Sequence, residues 1–191
     1  MSAALVKRVR WTVDKYFRMS EAGFLDDQRV ELLNGEIIEI PAQSDPHQLV
    51  ISRIFRLSCQ AFDPSAFWVV CQGTLRLSRF DAPDPDLHIF DFPEGTFPDP
   101  RPRPIVMVEV SDTTYSKDGR LKLRTYARTG VEEYWIVNIP QGRLEVYRQP
   151  ENPTGRRSGW HYASVTHLTR GQQVTLLKRP SITFAVDAML P

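Results

Sequence analysis

Apolar and polar positions change their spacing along the chain, and each change predicts an element. From Thr12 to Ala22, Val13, Tyr16, Phe17 and Met19 form a stripe with helical spacing, and Gly23 suits the end of that helix. Arg29 to Ile40 holds two apolar-rich runs separated by Asn34-Gly35, a strong hairpin signal because both turn residues need positive φ. Ser44 to Phe62 predicts a second helix, capped by Ser44, with Leu49, Val50, Ile54, Leu57 and Ala61 as its buried face. Short strands are expected at Phe67–Cys71, at Thr74–Leu77 and, after a proline-rich approach, at Asp86–Phe90. Ile105 to Ser111 is a continuous, β-branched apolar run and reads as a fully buried strand. A helix is expected from Ser116 or Asp118 to Thr129, closed by Gly130, followed by strands at Glu133–Ile139 and Leu144–Arg148.

The strand, helix and strand from Ile105 to Ile139 have the length of a crossover between parallel neighbours, so the sheet should be mixed. The tail from Gly159 to Pro191 reads as short strands and turns. At 191 residues the chain is expected to be a single α/β domain, with 1–41 as an N-terminal helix and hairpin and 150–191 as a β-rich C-terminal extension.

Composition narrows the field only a little. Hydrophobic residues at 41% and charged residues at 25% describe an ordinary globular protein. A net charge of +1 gives no global field toward nucleic acid, so any such site must be local. Charge is nonetheless uneven: 81–99 holds six acids and no Lys or Arg, whereas the chain after Ile139 holds seven Lys and Arg against three acids. Cys59 and Cys71 have neither metal nor disulfide-framework spacing and lie in apolar runs, so buried reduced thiols are expected. Met1 to Val13 lacks a long apolar run, so neither a signal peptide nor a membrane span is expected and the location should be cytoplasmic.

The chemistry begins with Glu109, one acid inside the apolar run Ile105-Val-Met-Val-Glu-Val-Ser111. An ionised carboxylate in such a strand costs several kcal/mol unless a cation, a proton or strong donors attend it. Asp86 opens another strand and should point away from Leu87 and Ile89; Pro83 and Pro85 stiffen its approach. Asp84 competes for the same role, but an apolar strand directly follows Asp86. Lys122 shares a helix face with Asp118 and Tyr126 at i, i+4 spacing. Two carboxylates on neighbouring strands make a hard-oxygen site of the kind that holds Mg²⁺ with waters and substrate phosphate. A nearby lysine can orient water or offset charge on phosphate.

These residues and their order resemble the Uma2 family of endonucleases in the PD-(D/E)XK superfamily. The resemblance runs from about Trp11 to about Arg148. It is carried by 30–37 (VELLNGEI), His47, Pro85-Asp86-Leu87, Val108-Glu109-Val110-Ser111, Lys117-Asp118, Lys122, Tyr126-Ala127-Arg128, 130–137 (GVEEYWIV) and Leu144-Glu145-Val146-Tyr147. It implies a restriction-endonuclease-like α/β fold, a central mixed sheet flanked by helices. It also implies divalent-metal-dependent phosphodiester hydrolysis with Mg²⁺ or Mn²⁺, on nucleic acid and most simply DNA. Carried over, Asp86 and Glu109 are the metal ligands and Lys122 the catalytic lysine. The superfamily lysine two places after the acid is replaced by Ser111, and Lys122 on the next helix stands in for it. Ser111 and Asp118 are additional candidates for the site.

Each reading has a plainer rival. Glu109 could pair with a buried Arg and be structural. Lys122 could be a solvated helix lysine, and Arg120, Arg124 and Arg128 are solvated charges or phosphate contacts. Glu31 is either a hairpin surface residue or, by the resemblance, an extra metal ligand, and His47 either a polar helix residue or part of the site. His88 alternates onto the side of Asp86. Tyr126, Tyr134 and Trp135 read as core and supporting residues. The alternative function is a non-catalytic nucleic-acid or protein interaction module on the same fold; a third is a structural dimer in which Glu109 pairs with Lys122 alone. A homodimer is expected on symmetry grounds, because cutting two strands favours two sites.

Overall fold

A computed structural model describes residues 9–112 and 117–191. Ser116, the earlier of the two expected starts of the third helix, lies outside the described residues. The chain forms two compact units, one of 1–41 with 75–83, the other of 42–74 with 84–191.

In the first unit, helix α1 (Val13–Glu21) starts at Thr12, whose side chain accepts from Lys15 N, and ends before Gly23 at φ 79°. The hairpin β1 (Val30–Leu33) and β2 (Glu36–Glu39) turns at Asn34-Gly35, with φ of 54° and 77°, the positive-φ pair the sequence called for. A side chain at position 35 would meet Arg10 Cβ at 2.8 Å, so glycine is needed for space as well as for φ. Tyr16 Oη donates to Val30 O at 2.8 Å, and Val13, Tyr16, Val30, Leu32 and Ala82 form the core of this unit. Leu32 and Ala82 exchange both backbone hydrogen bonds, at 3.1 and 2.7 Å.

The expected strand at Thr74–Leu77 does not form. Leu75 and Leu77 are buried, but Leu75 N donates to Pro83 O and Leu77 N to Asp81 O in an irregular return. Pro83 has no N–H to give back, so a regular ladder cannot close there.

In the second unit, helix α2 (Asp45–Ala61) is capped by Ser44, and strands β3 (Trp68–Cys71), β4 (Leu87–Phe90), β5 (Val106–Ser111), β6 (Glu133–Asn138), β7 (Arg143–Glu151) and β8 (His161–Thr169) form one six-stranded sheet in that spatial order. Only β5 and β6 are parallel, joined by helix α3 (Lys117–Arg128), which is the expected crossover. The sheet is therefore mixed, and the α/β expectation holds. Strands β9 (Gln173–Thr175) and β10 (Thr183–Ala185) pair separately, ahead of the short helix α4 (Val186–Met189).

One face of the sheet carries Leu87, Ile89, Val106, Val108, Val110, Trp135, Val137, Leu144 and Val146, packed with Val50, Ile51 and Ile54 of α2. The buried stripe of α2 runs through His47, Val50, Ile51, Ile54 and Ser58, not through Leu49, which is 45% exposed, nor Ala61, which is also exposed. At 100° per residue Leu49 stands about 140° round the helix from Ile54, so the expected face was mis-centred. Nor are the cysteines core thiols: Cys59 is exposed and Cys71 half-buried.

Candidate functional site

Site residues come from the start of β4, the end of β5, the first turn of α2 and the middle of α3. The register pairs Leu87 with Val108 and His88 with Met107. Continued by one residue, it sets Asp86 opposite Glu109, on the side of the sheet away from Leu87 and Val108.

Asp86 is 7% exposed, and its carboxylate is held from three directions. Oδ2 accepts from Val110 N at 2.8 Å and stands 3.3 Å from His47 Nε2; Gln43 Nε2 donates to Oδ1 at 3.4 Å. Asp86 O also accepts from Gln72 N, which fixes the backbone ahead of β4. His47 is buried on α2. Burial by itself would push its imidazole down, but the hydrogen bond to Asp86 and the charges of Asp86 and Asp112 together raise it above the ordinary histidine value. Ser44, which caps α2 by accepting from His47 N at 3.3 Å, also donates to Asp112. The first turn of α2 is thereby tied to the segment directly after β5.

Glu109 is not fully buried as the apolar run suggested. Its side chain is 12% exposed, and it meets a cation rather than standing alone. Lys122 Nζ lies 3.0 Å from Oε1, and Tyr126 Oη donates to the same oxygen at 2.6 Å. Lys122 and Tyr126 are one helical turn apart on α3, so one face of the helix delivers both donors to one carboxylate. Lys122 is thus a charge partner of Glu109 in the fold. Tyr126 is completely buried and packs edge-on against Tyr134 with ring centroids 4.9 Å apart. Tyr134 and Trp135 are buried too, as expected of supporting residues.

The other candidates divide. Ser111 is half-buried at the end of β5, where its carbonyl accepts from Ile139 N at 2.8 Å. The side chain of Asp118 lies outside the described residues. Glu31 is only 3% exposed, which removes the hairpin-surface reading; it belongs to the first unit. His88 is buried against Phe90, and burial, reinforced by the charge of Arg101, pushes it down to about 3. Arg120 and Arg124 are exposed, as solvated charges would be. Sequence reasoning missed Gln43 and Asp112. The two contacts depend on where the start of α2 meets the start of β4 and the end of β5, and no local spacing encodes that.

Among the described residues no helix is long and apolar enough to cross a membrane. No group of three or more His, Cys, Asp or Glu among them is placed to hold a metal ion.

No curated protein matches the chain. A solved structure, "Crystal structure of a putative nuclease belonging to DUF820 from Anabaena variabilis", shares the fold with a TM-score of 0.69. It is 14% identical and the match covers 93% of this chain and 96% of that one. The family model described as "Uma2: Putative restriction endonuclease" matches residues 13–187. That match takes in both compact units and every site residue described above, and the chain belongs to the Uma2 family.

Proposed function

We propose that the chain is a divalent-metal-dependent endonuclease that hydrolyses phosphodiester bonds in DNA. The observation that carries this reading is the meeting of Lys122 from α3 with Glu109 from β5, next to β4, which Asp86 directly precedes. Asp86 and Glu109 are hard oxygen donors. Two protein carboxylates completed by water and phosphate are an ordinary Mg²⁺ set, so a third protein ligand is not required. Such a cation, Mg²⁺ or Mn²⁺, would polarise the phosphate and lower the pKa of a water.

The protein's own groups do the rest. Val110 N and His47 fix Asp86, and Tyr126 fixes Glu109, so neither carboxylate has to reorganise during the reaction. Lys122 supplies positive charge beside Glu109, where it orients the attacking water and offsets charge gathering on the phosphate oxygens. In the hydrolysis a water oxygen bonds to phosphorus, the bond to the leaving sugar oxygen breaks, and the proton of the water passes to that oxygen by way of solvent.

One observation favours the non-catalytic alternative. The Glu109–Lys122–Tyr126 cluster is already internally paired, as it would be in a purely structural site. Supercoiled plasmid incubated with the protein and Mg²⁺ or Mn²⁺ decides between them. Nicking or linearisation that disappears in Glu109→Ala and Lys122→Ala is expected. Cleavage unchanged in both variants rejects the assignment, and no Mn²⁺ binding at millimolar concentration favours the interaction module.

A further inference from the structure

The six-stranded sheet has two edges, and they are built differently. At one edge β3 is four residues long, is followed by Gln72 at φ 50°, and has the Arg101 guanidinium 5.5 Å from the Trp68 ring. Short length, a backbone twist and a nearby charge are the ordinary ways of blunting a sheet edge against further pairing. At the other edge β8 runs for nine residues, His-Tyr-Ala-Ser-Val-Thr-His-Leu-Thr, with no proline and no Lys, Arg, Asp or Glu. It pairs with β7 on one side, and among the described residues no strand lies on its other side. Val165 is 47% exposed at its centre.

A strand of this kind presents a row of backbone donors and acceptors without proline or acidic or basic side chains along it, although at its end Thr169 N donates to Gln172 Oε1. The geometry points to a second copy of this chain as the occupant: two β8 strands pair antiparallel about a two-fold axis through Val165, joining two sheets into one.

The sequence of β8 suits its own copy. With Val165 facing Val165, Ser164 faces Thr166, Ala163 faces His167 and Tyr162 faces Leu168. These pairs are β-branched, hydroxyl or apolar, and none sets fixed like charges opposite each other. A two-fold interface uses one patch twice, so a single uncharged strand suffices to specify it. The surface is independent of the chemistry at Asp86 and Glu109, and β8 lies three strands away from β5 in the sheet.

One strand pair buries little area, so the dimer should be concentration-dependent and is best sought up to about 200 µM. Sedimentation equilibrium of the full chain should approach twice the 22.0 kDa chain mass. Val165→Lys sets two ammonium groups face to face and should return the protein to monomer, with its unfolding midpoint in urea unchanged. In a Cys59→Ser background, Val165→Cys should give a disulfide-linked dimer on oxidation, whereas Leu177→Cys, exposed but away from β8, should not. A monomer throughout the concentration range overturns the inference. So does a dimer that survives Val165→Lys, or one in which Leu177→Cys cross-links as readily as Val165→Cys.

Discussion

Lys122 Nζ lies 3.0 Å from Glu109 Oε1, although one residue belongs to helix α3 and the other to strand β5. Both side chains are largely withdrawn from water, at 15% and 12% exposure, so each offsets part of the other's desolvation cost. Removing the lysine leaves the Tyr126 hydroxyl donating to Glu109 and takes positive charge from the proposed reaction site. Lys122→Met should lower plasmid cleavage by about 10²–10³-fold, the usual effect of removing one preorganised electrostatic group. Lys122→Arg keeps the charge and should restore part of the rate. Cleavage rates measured at saturating Mn²⁺ check both variants.

Asp86 has two separable duties. As an acceptor for Val110 N it satisfies a buried backbone group, and as a charge it faces His47. Asp86→Asn retains an oxygen for Val110 N while losing the charge. It should fold with nearly wild-type stability, lose most Mn²⁺ affinity and fall at least about 100-fold in activity. Asp86→Ala also leaves Val110 N–H unsatisfied and should cost about 1–3 kcal/mol of stability in addition. Isothermal titration with Mn²⁺ and urea unfolding separate the two effects. An Asp86→Asn protein that binds Mn²⁺ normally would remove Asp86 from the ligand set.

How much of this could be read from the sequence varies with the range of the interaction involved. The Asn34-Gly35 turn, the crossover from β5 to β6 and the Asp118-Lys122-Tyr126 helix face rest on local spacing, and the turn and the crossover appear as expected. Lys122 and Tyr126 meet Glu109 because a helix connecting two parallel strands must pack back onto the sheet. The Ser44–Asp112 and Gln43–Asp86 contacts could not be read, because they join segments far apart in sequence through a packing angle. Leu49 lies off the buried face and Thr74–Leu77 forms no strand, because apolar character alone does not fix which side of a helix is buried. Nor does it show whether a partner strand can return hydrogen bonds, and Pro83 cannot.

His88 makes stability depend on pH. It is 3% exposed, its Nδ1 has no hydrogen-bond partner among the described residues, and its pKa is pushed down to about 3 by burial and then by Arg101. In the unfolded chain the imidazole takes up a proton below about 6.5, whereas the folded protein keeps it neutral, so stability falls as pH drops from about 6.5 toward 3. His47, with its raised pKa, has the opposite sign: its contribution is present below about 6.5 and fades as pH rises through its folded value. Glu145, held below its ordinary value by Tyr147, Arg143 and Asn138 despite burial, contributes in full above about pH 4.5 and loses that contribution as pH falls from there through its lower folded value. The interval from pH 6.5 to 4.5 therefore isolates the histidines. His88→Leu should flatten the loss of stability there and leave stability at pH 7.5 equal or higher, since it removes an unpaired buried nitrogen. Urea midpoints at half-unit pH steps provide the test, and a slope unchanged by His88→Leu would falsify it.

Glu133 is fully buried, and its carboxylate ties the C-terminal segment to the sheet. Oε1 accepts from Trp135 Nε1 at 2.9 Å and from Arg148 Nε at 3.0 Å, while Oε2 accepts from Leu177 N at 2.7 Å. Arg148 also reaches Thr175 O, so one ion pair joins β6, β7 and the segment after β9. Removing only the cation leaves a buried carboxylate short of its charge partner, which costs about 3–5 kcal/mol. Arg148→Met should show that loss in urea unfolding. It should also expose the segment from β9 to the C-terminus to protease before the rest of the chain, because that segment loses its polar anchor. The double variant Glu133→Gln with Arg148→Met removes both charges and should recover part of the stability, since the amide oxygen of a glutamine can still accept from one of the two donors, Trp135 Nε1 or Leu177 N, although its –NH2 then faces the other. If the double variant is as unstable as Arg148→Met, the loss comes from packing of the arginine stem rather than from the orphaned charge.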